Sequence, residues 1–342
     1  MDDQNYIARF DSQNALAIAA GQVKQLKYTD FDLDLPQIDQ IDHVVLTGMG
    51  GSALAGLICR DWWDKRLKIP FVITRDYQLP AFVNKNTLVI ASSYSGNTEE
   101  TLSALEDAKA KGATVVVVTS GGKLSELARQ NRYPVLSLPP DYQPRMSVWF
   151  QIKMLAAIFE KLGLAEGAVK ELNTAQATMD KQVDAWTAPT PTPRNLAKQI
   201  AEQLAGKSVV VYAGPVLATA AYKWKINLNE NAKNLAFYNV LPEFNHNEFV
   251  GWSSHPVQKP YAVVELISSL DHPRIQKRWE LSNRLLSGKM PRPIGIKAEG
   301  KTQIEQLLWT ILLGDFVSIY SGILNGVNPT PVELIEKLKK EL

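Results

Sequence analysis

Short apolar runs punctuate this chain, each followed by a turn-forming cluster and then by a longer stretch with helical spacing. Val44, Val45 and Leu46 make the first run, which reads as a buried strand. Gly48, Gly50 and Gly51 allow a tight turn, Ser52 stands as a helix N-cap, and Ala53, Leu54, Ala55, Leu57 and Ile58 continue as a helix. The layout returns at Thr87–Ala91, followed by Ser92, Ser93, Ser95, Gly96, Asn97 and Thr98 and a helix from about Glu99. Val115–Val118 is a valine run of the kind found in a parallel strand covered on both faces. A further short strand lies in YPVLSLP, then a long apolar helix opens after Arg145, with Ser147 as its possible cap. Residues 1–40 read as a helix and an irregular arm ending near Pro36, and residues 165–186 as helical.

Pro and Thr alternate through Ala188–Arg194, a stiff extended connector that sets the expected boundary between domains 1–187 and 194–342. The second half repeats the rhythm: a strand and turn at Ser208–Gly214, a helix, a strand in YAVVELIS, a basic helix at Pro273–Leu286, a strand in PIGIKAEG and an apolar helix from Thr302. Strands alternating with helices in both halves predict two doubly wound parallel α/β units of the flavodoxin-like, three-layer kind.

The turns carry the chemistry. Strand, glycine turn and helix form an anion cradle, because the first helical N–H groups point at the ligand. GMGGSALAG lacks the dinucleotide spacing, and no lysine follows it as in a P-loop. The Ser92–Thr98 cluster holds more hydroxyls than a cap uses, so a phosphate dianion is the natural ligand there. A capping box of Thr98 with Thr101 is the structural alternative. The turn at Ala213–Val216 has no such hydroxyls, which assigns the anion site to the first half. Arg145, at a helix start that disfavours positive charge, fits a contact to an oxyanion or phosphate.

Asn229–Glu248 crowds Glu230, Lys233, Glu243, His246 and Glu248 among amides. A carboxylate, an imidazole and orienting amides suit proton transfer, while a polar helix end and turn accounts for the same residues. Near the C-terminus, Val332, Ile335, Leu338 and Leu342 share a helix face with Lys339, whereas Lys337 points away. Lys339 is the lysine drawn inward, or a snorkelling one.

The chain has 342 residues with 45% apolar and 21% charged composition, room for two domains. A net charge of +2 gives no argument for nucleic acid or an anionic membrane. Its single cysteine, Cys59, and four scattered histidines, His43, His246, His255 and His272, predict no disulfide and no metal site. MDDQNYIARF is unlike a signal peptide, and no unbroken apolar run approaches a membrane span, so a soluble cytoplasmic protein is expected.

GMGGSALAG, SSYSGNTEET, the proline before Arg145 and NENAK with LPEFNHNE together resemble the bifunctional phosphoglucose/phosphomannose isomerases, built from two sugar-isomerase (SIS) domains. SYSGNT marks SIS domains at large; the block from Glu230 to His246 narrows the resemblance to this group, over roughly residues 40–342. The resemblance implies interconversion of fructose 6-phosphate with glucose 6-phosphate and mannose 6-phosphate through a cis-enediol, without metal or cofactor. It implies phosphate binding by Ser52, Ser93, Ser95 and Thr98, with Gly51 giving close backbone approach. Glu230 is similar to the base that moves the proton between C1 and C2, and Arg145 to the arginine near the enediolate. His246 is similar to the group that assists ring opening from the neighbouring subunit of a dimer. Lys339 is similar to the lysine at the ring oxygen, and Thr330 to the small polar residue that admits both C2 epimers. The competing expectations are a non-catalytic sugar-phosphate sensor, an isomerase of another sugar phosphate, and an amidotransferase-type synthase. Asp2, in place of a nucleophilic cysteine after Met1, argues against the synthase.

Overall fold

The computed structural model describes residues 1–35, 38, 40–254 and 260–341. The arm end at Pro36, and His255 and Leu342, lie outside them. Two compact units result: residues 22–176, and residues 1–21 with 177–342.

The first unit holds a five-stranded sheet of β1 (His43–Thr47), β2 (Phe71–Thr74), β3 (Thr87–Ser93), β4 (Thr114–Thr119) and β5 (Val135–Ser137). All its pairings are parallel, in the order β2-β1-β3-β4-β5. The second unit holds β6 (Ser208–Ala213), β7 (Ala236–Val240), β8 (Tyr261–Ile267) and β9 (Ile294–Lys297), also parallel, in the order β7-β6-β8-β9. Both are doubly wound sheets, as the strand–helix alternation requires. β2 and β7 escape the sequence reading: FVIT is short, and AFYNV is embedded in the amide-rich stretch that reads as irregular. The N-terminal segment is two helices, Gln4–Phe10 and Ala15–Gln25, where one was expected.

The limits of the compact units differ from 1–187 and 194–342, because the first residues are tied to the second unit. Asp2 accepts from the Thr192 backbone at 2.9 Å and pairs with the buried Lys198 at 3.1 Å, and Tyr6 Oη donates to the Ile323 carbonyl at 3.3 Å. These bonds also hold the 188–194 segment, which closes with a 3₁₀ turn at Thr192–Arg194 and does not run as a free strut.

In the second unit, right-handed crossovers in opposite directions put helices on both sheet faces. Helix Ala218–Glu230 packs on β6 and β7 and against helix Gln303–Leu324. The other face carries Val210, Tyr212 and Val263, covered by Leu241, Phe244, Trp252 and Ile275 and Trp279 of helix Pro273–Leu285. Helix Gln303–Leu324 is the one described helix long and apolar enough to cross a membrane, yet 94% of its most apolar window is buried inside the protein. A helix apolar on all sides is what a core position demands.

Candidate active site

In the first sheet the chain leaves β1 toward β2 and β3 toward β4, so the loops after these paired strands part at a topological switch point. Backbone packing there is tight: a Cβ on Gly48 would meet the Ser92 carbonyl oxygen at 2.7 Å. Helix Gly50–Trp63 starts earlier than expected. Its N-cap is Met49, and Ser52 is a buried first-turn residue, not the cap. The space over Gly51 is taken by the Pro144 carbonyl, 2.4 Å from where a Cβ would stand, so the close approach this glycine permits is to the chain itself. That contact docks the 3₁₀ turn Pro144–Met146 on the cradle, and with it the buried Arg145. Ser147 is the N-cap of the next helix as expected, but its Oγ makes no capping bond and donates to the Pro144 carbonyl at 2.9 Å, locking the turn.

The second loop divides its hydroxyls. Ser92 donates to Gln151 at 3.0 Å and is structural. Ser93 Oγ and Thr98 Oγ1 lie 2.9 Å apart, and the Gly96 N–H donates to Ser93 at 3.1 Å. Ser95 is exposed and accepts from the Asn97 N–H at 3.3 Å. Thr98 is the N-cap of helix Glu99–Ala110, but its side chain makes no capping bond, so the capping-box alternative does not hold. Thr47, which sequence reasoning passed over, and Thr101, weighed there only for capping, keep buried hydroxyls without a hydrogen-bond partner among the described residues. Their signal is visible only once β1 and the helix are placed. An uncapped helix N-terminus beside paired hydroxyls can take an oxyanion through N–H and O–H donors together.

In the second unit, Glu230 is half-buried at the last turn of helix Ala218–Glu230. That helix is pinned from within. Lys223 Nζ pairs with Asp315 at 2.6 Å and donates to Asn227 at 3.1 Å, Asn227 donates in turn to Asp315, and all three are buried. Asn231 donates to Ser318 at 2.9 Å, and Gly322 makes room for the Asn231 carbonyl. Lys233 Nζ, at a positive φ of 50°, donates to the carbonyls of Glu230 at 2.8 Å, Asn328 at 2.8 Å and Pro329 at 3.1 Å. It ties the Glu230 turn to the segment that carries the buried Thr330. The structure thus brings Glu230 and the Thr330 segment together, with Lys233 bonded to the backbone of both.

His246 does not join them within one chain. It is exposed, in the 3₁₀ turn Glu243–His246 on the other face of the sheet, where Asn245 donates to Ser282 at 2.9 Å and accepts from Arg278 at 3.0 Å. Nearness along the chain misleads here, because β7 passes between the two residues. Lys339 is exposed on helix Glu333–Glu341, where Leu334, Ile335 and Leu338 are 82%, 41% and 58% exposed. The inward position expected for Lys339 is not seen: among the described residues it stands exposed on this helix.

Residues 37–157 match the SIS domain family, and residues 193–342 the bacterial phospho-glucose isomerase C-terminal SIS domain. The chain is 38% identical over 306 residues to a bifunctional phosphoglucose/phosphomannose isomerase of Caldicellulosiruptor bescii, covering 89% of this chain and 90% of that one. It is 33% identical over 326 residues to a protein of the same name from Aquifex aeolicus, covering 95% and 97%. The tagatose-6-phosphate ketose/aldose isomerase from Escherichia coli shares the fold at a TM-score of 0.65 and 18% identity, over 96% of this chain and 92% of that one. With two relatives above 30% identity matched along nearly their whole length, this chain belongs to the bifunctional phosphoglucose/phosphomannose isomerase family.

Proposed function

We propose that the protein is an aldose–ketose isomerase interconverting fructose 6-phosphate with glucose 6-phosphate and mannose 6-phosphate. The observation that carries this reading is the uncapped helix N-terminus beside the Ser93–Thr98 hydroxyl pair at the switch point, in a chain of this family. Ser52, Ser93, Ser95 and Thr98 hold the phosphate, and Gly51 seats the turn bearing Arg145. Phosphate is remote from the reacting carbons, so its binding energy orients the sugar while the ring opens. Glu230 takes the proton from C2 of the aldose, leaving a cis-enediol, and returns it to C1; mannose 6-phosphate forms when the enediol turns its opposite C2 face to the same carboxyl, which delivers the proton there. Such acid–base assistance contributes about 10²–10⁴ in rate. Arg145 supplies fixed positive charge for the enediolate. Lys339 assists at the ring oxygen, and Thr330 sets tolerance for both C2 epimers.

His246 acts from a second copy in a cytoplasmic homodimer. Its exposure, and the sheet that stands between it and Glu230, support this. So do Phe237 and Tyr238 on the edge strand β7, 47% and 42% exposed, and the uncovered face of helix Glu333–Glu341. The test is a coupled assay with fructose 6-phosphate that reads the two aldose products separately. Glu230→Gln and His246→Ala are each expected to lose about 10²-fold or more in kcat. Mixed dimers formed from the two variants are expected to regain activity, because one of their two sites has both residues intact. Normal turnover in Glu230→Gln removes the base; failure of the mixture to recover removes donation across subunits; turnover of neither aldose redirects the reading to another sugar phosphate.

A further inference from the structure

The second unit contains a cavity with no part in the chemistry above. It measures about 690 Å³, a size that suits a small molecule, and lies beside β8 and β9 under the end of helix Pro273–Leu285. Leu286 and Met290 form its apolar wall, Glu265 and Asn283 its polar one, and the exposed Arg292 contributes to its lining. Glu265 shares its sheet face with Val263 and is 3% exposed. A carboxylate there costs stability unless something satisfies it. Asn283 donates one bond to Glu265 Oε2 at 3.0 Å, and the Asn283 Oδ1 atom is itself buried without a partner among the described residues. The wall therefore presents acceptors that lack donors. Burial pushes the Glu265 carboxyl up to about 7, as expected where no cation compensates. Arg292, at the same cavity, makes no ion pair with a described residue.

We infer that this cavity binds a free amino acid, its ammonium group on Glu265 and Asn283 Oδ1 and its carboxylate on Arg292. An ammonium brings three donors to acceptors that have one between them, and the guanidinium matches a carboxylate in a bidentate fork. The inference does not rest on the isomerase reading. Calorimetric titration of the full-length protein with each proteinogenic amino acid tests it. At least one is expected to bind, tenfold or more weakly in Glu265→Gln and several-fold more weakly in Arg292→Ala, with sugar-phosphate turnover unchanged in both variants. Arg292 is exposed, so its variant tests the site even if Glu265→Gln disturbs the fold. Binding by none of the amino acids overturns the inference. So does binding that survives both substitutions, or equal binding of the matching carboxylic acid without its amino group.

Discussion

The two sheets share one topology and use its switch point in opposite ways. Between β1 and β3 the loops leave helix N–H groups uncapped beside Ser93 and Thr98. Between β6 and β8 the corresponding crevice is filled by the chain's own anion. Asp271, from the loop after β8, accepts from the Val216 N–H at 3.0 Å and sits where a Cβ on Gly214 would be, 2.0 Å from its Oδ2. The lesson is that the fold makes an anion site at each switch point, and side chains decide whether a ligand or a carboxylate occupies it. The candidate base of the second unit, Glu230, stands away from this crevice at the last turn of helix Ala218–Glu230, a helix held by the buried Lys223–Asp315 pair.

The sharpest way to break the contrast is Gly96→Ala. At φ +70° its Cβ would lie 1.8 Å from the Gly121 carbonyl oxygen, which is backbone and cannot swing aside. Thermal and chemical denaturation should show a loss of about 2–5 kcal/mol, with sugar-phosphate affinity falling alongside. Next is a difference between the sheets themselves. The strands of the first bury hydroxyls, while β8 buries Glu265, whose carboxyl rises from 4.5 to about 7. A raised carboxyl binds its proton more tightly in the folded chain, so this group's contribution is harmless below pH 4.5 and increasingly unfavourable as pH climbs to 7. Glu265→Gln should therefore match wild type in urea denaturation at pH 4.5 and exceed it at pH 8 by up to ~3 kcal/mol. Equal differences at both pH values would show that the carboxyl is not the cause.

Asp271→Ala reopens the second crevice and strands the Val216 N–H, for an expected loss of about 1–3 kcal/mol with kcat/KM unchanged. A fall in turnover there would place Asp271 in the substrate site and erase the contrast. The smallest effect is expected from Thr98→Val, which removes one donor from the open cradle. KM for fructose 6-phosphate should rise about tenfold, with stability within ~1 kcal/mol of wild type.

Much of the scaffold was legible. Valine runs at 115–118 and 209–211 are strands buried on both faces, and glycine turns mark where helices begin. β7 was not legible, because its Phe237 and Tyr238 are exposed on an edge and its flanks are polar. Ser52 read as a cap because Ser favours that position, but Met49 is the N-cap and the helix starts three residues earlier, at Gly50. Lys233 read as one charge among many, since its three carbonyl partners come from the helix end before it and from residues 328–329.

The sequence alone determined the two parallel α/β units and the hydroxyl-rich turn in the first, because these depend on local periodicity, turn chemistry and residue type; Glu230 and His246 stood out among the charges of 229–248 only through the family resemblance. Tertiary structure alone decided that Asp271 fills the second crevice, that Gly51 yields space to Pro144, and that β7 parts His246 from Glu230. Those outcomes depend on which distant backbone groups meet, and spacing along a chain carries no record of that once a sheet passes between neighbours.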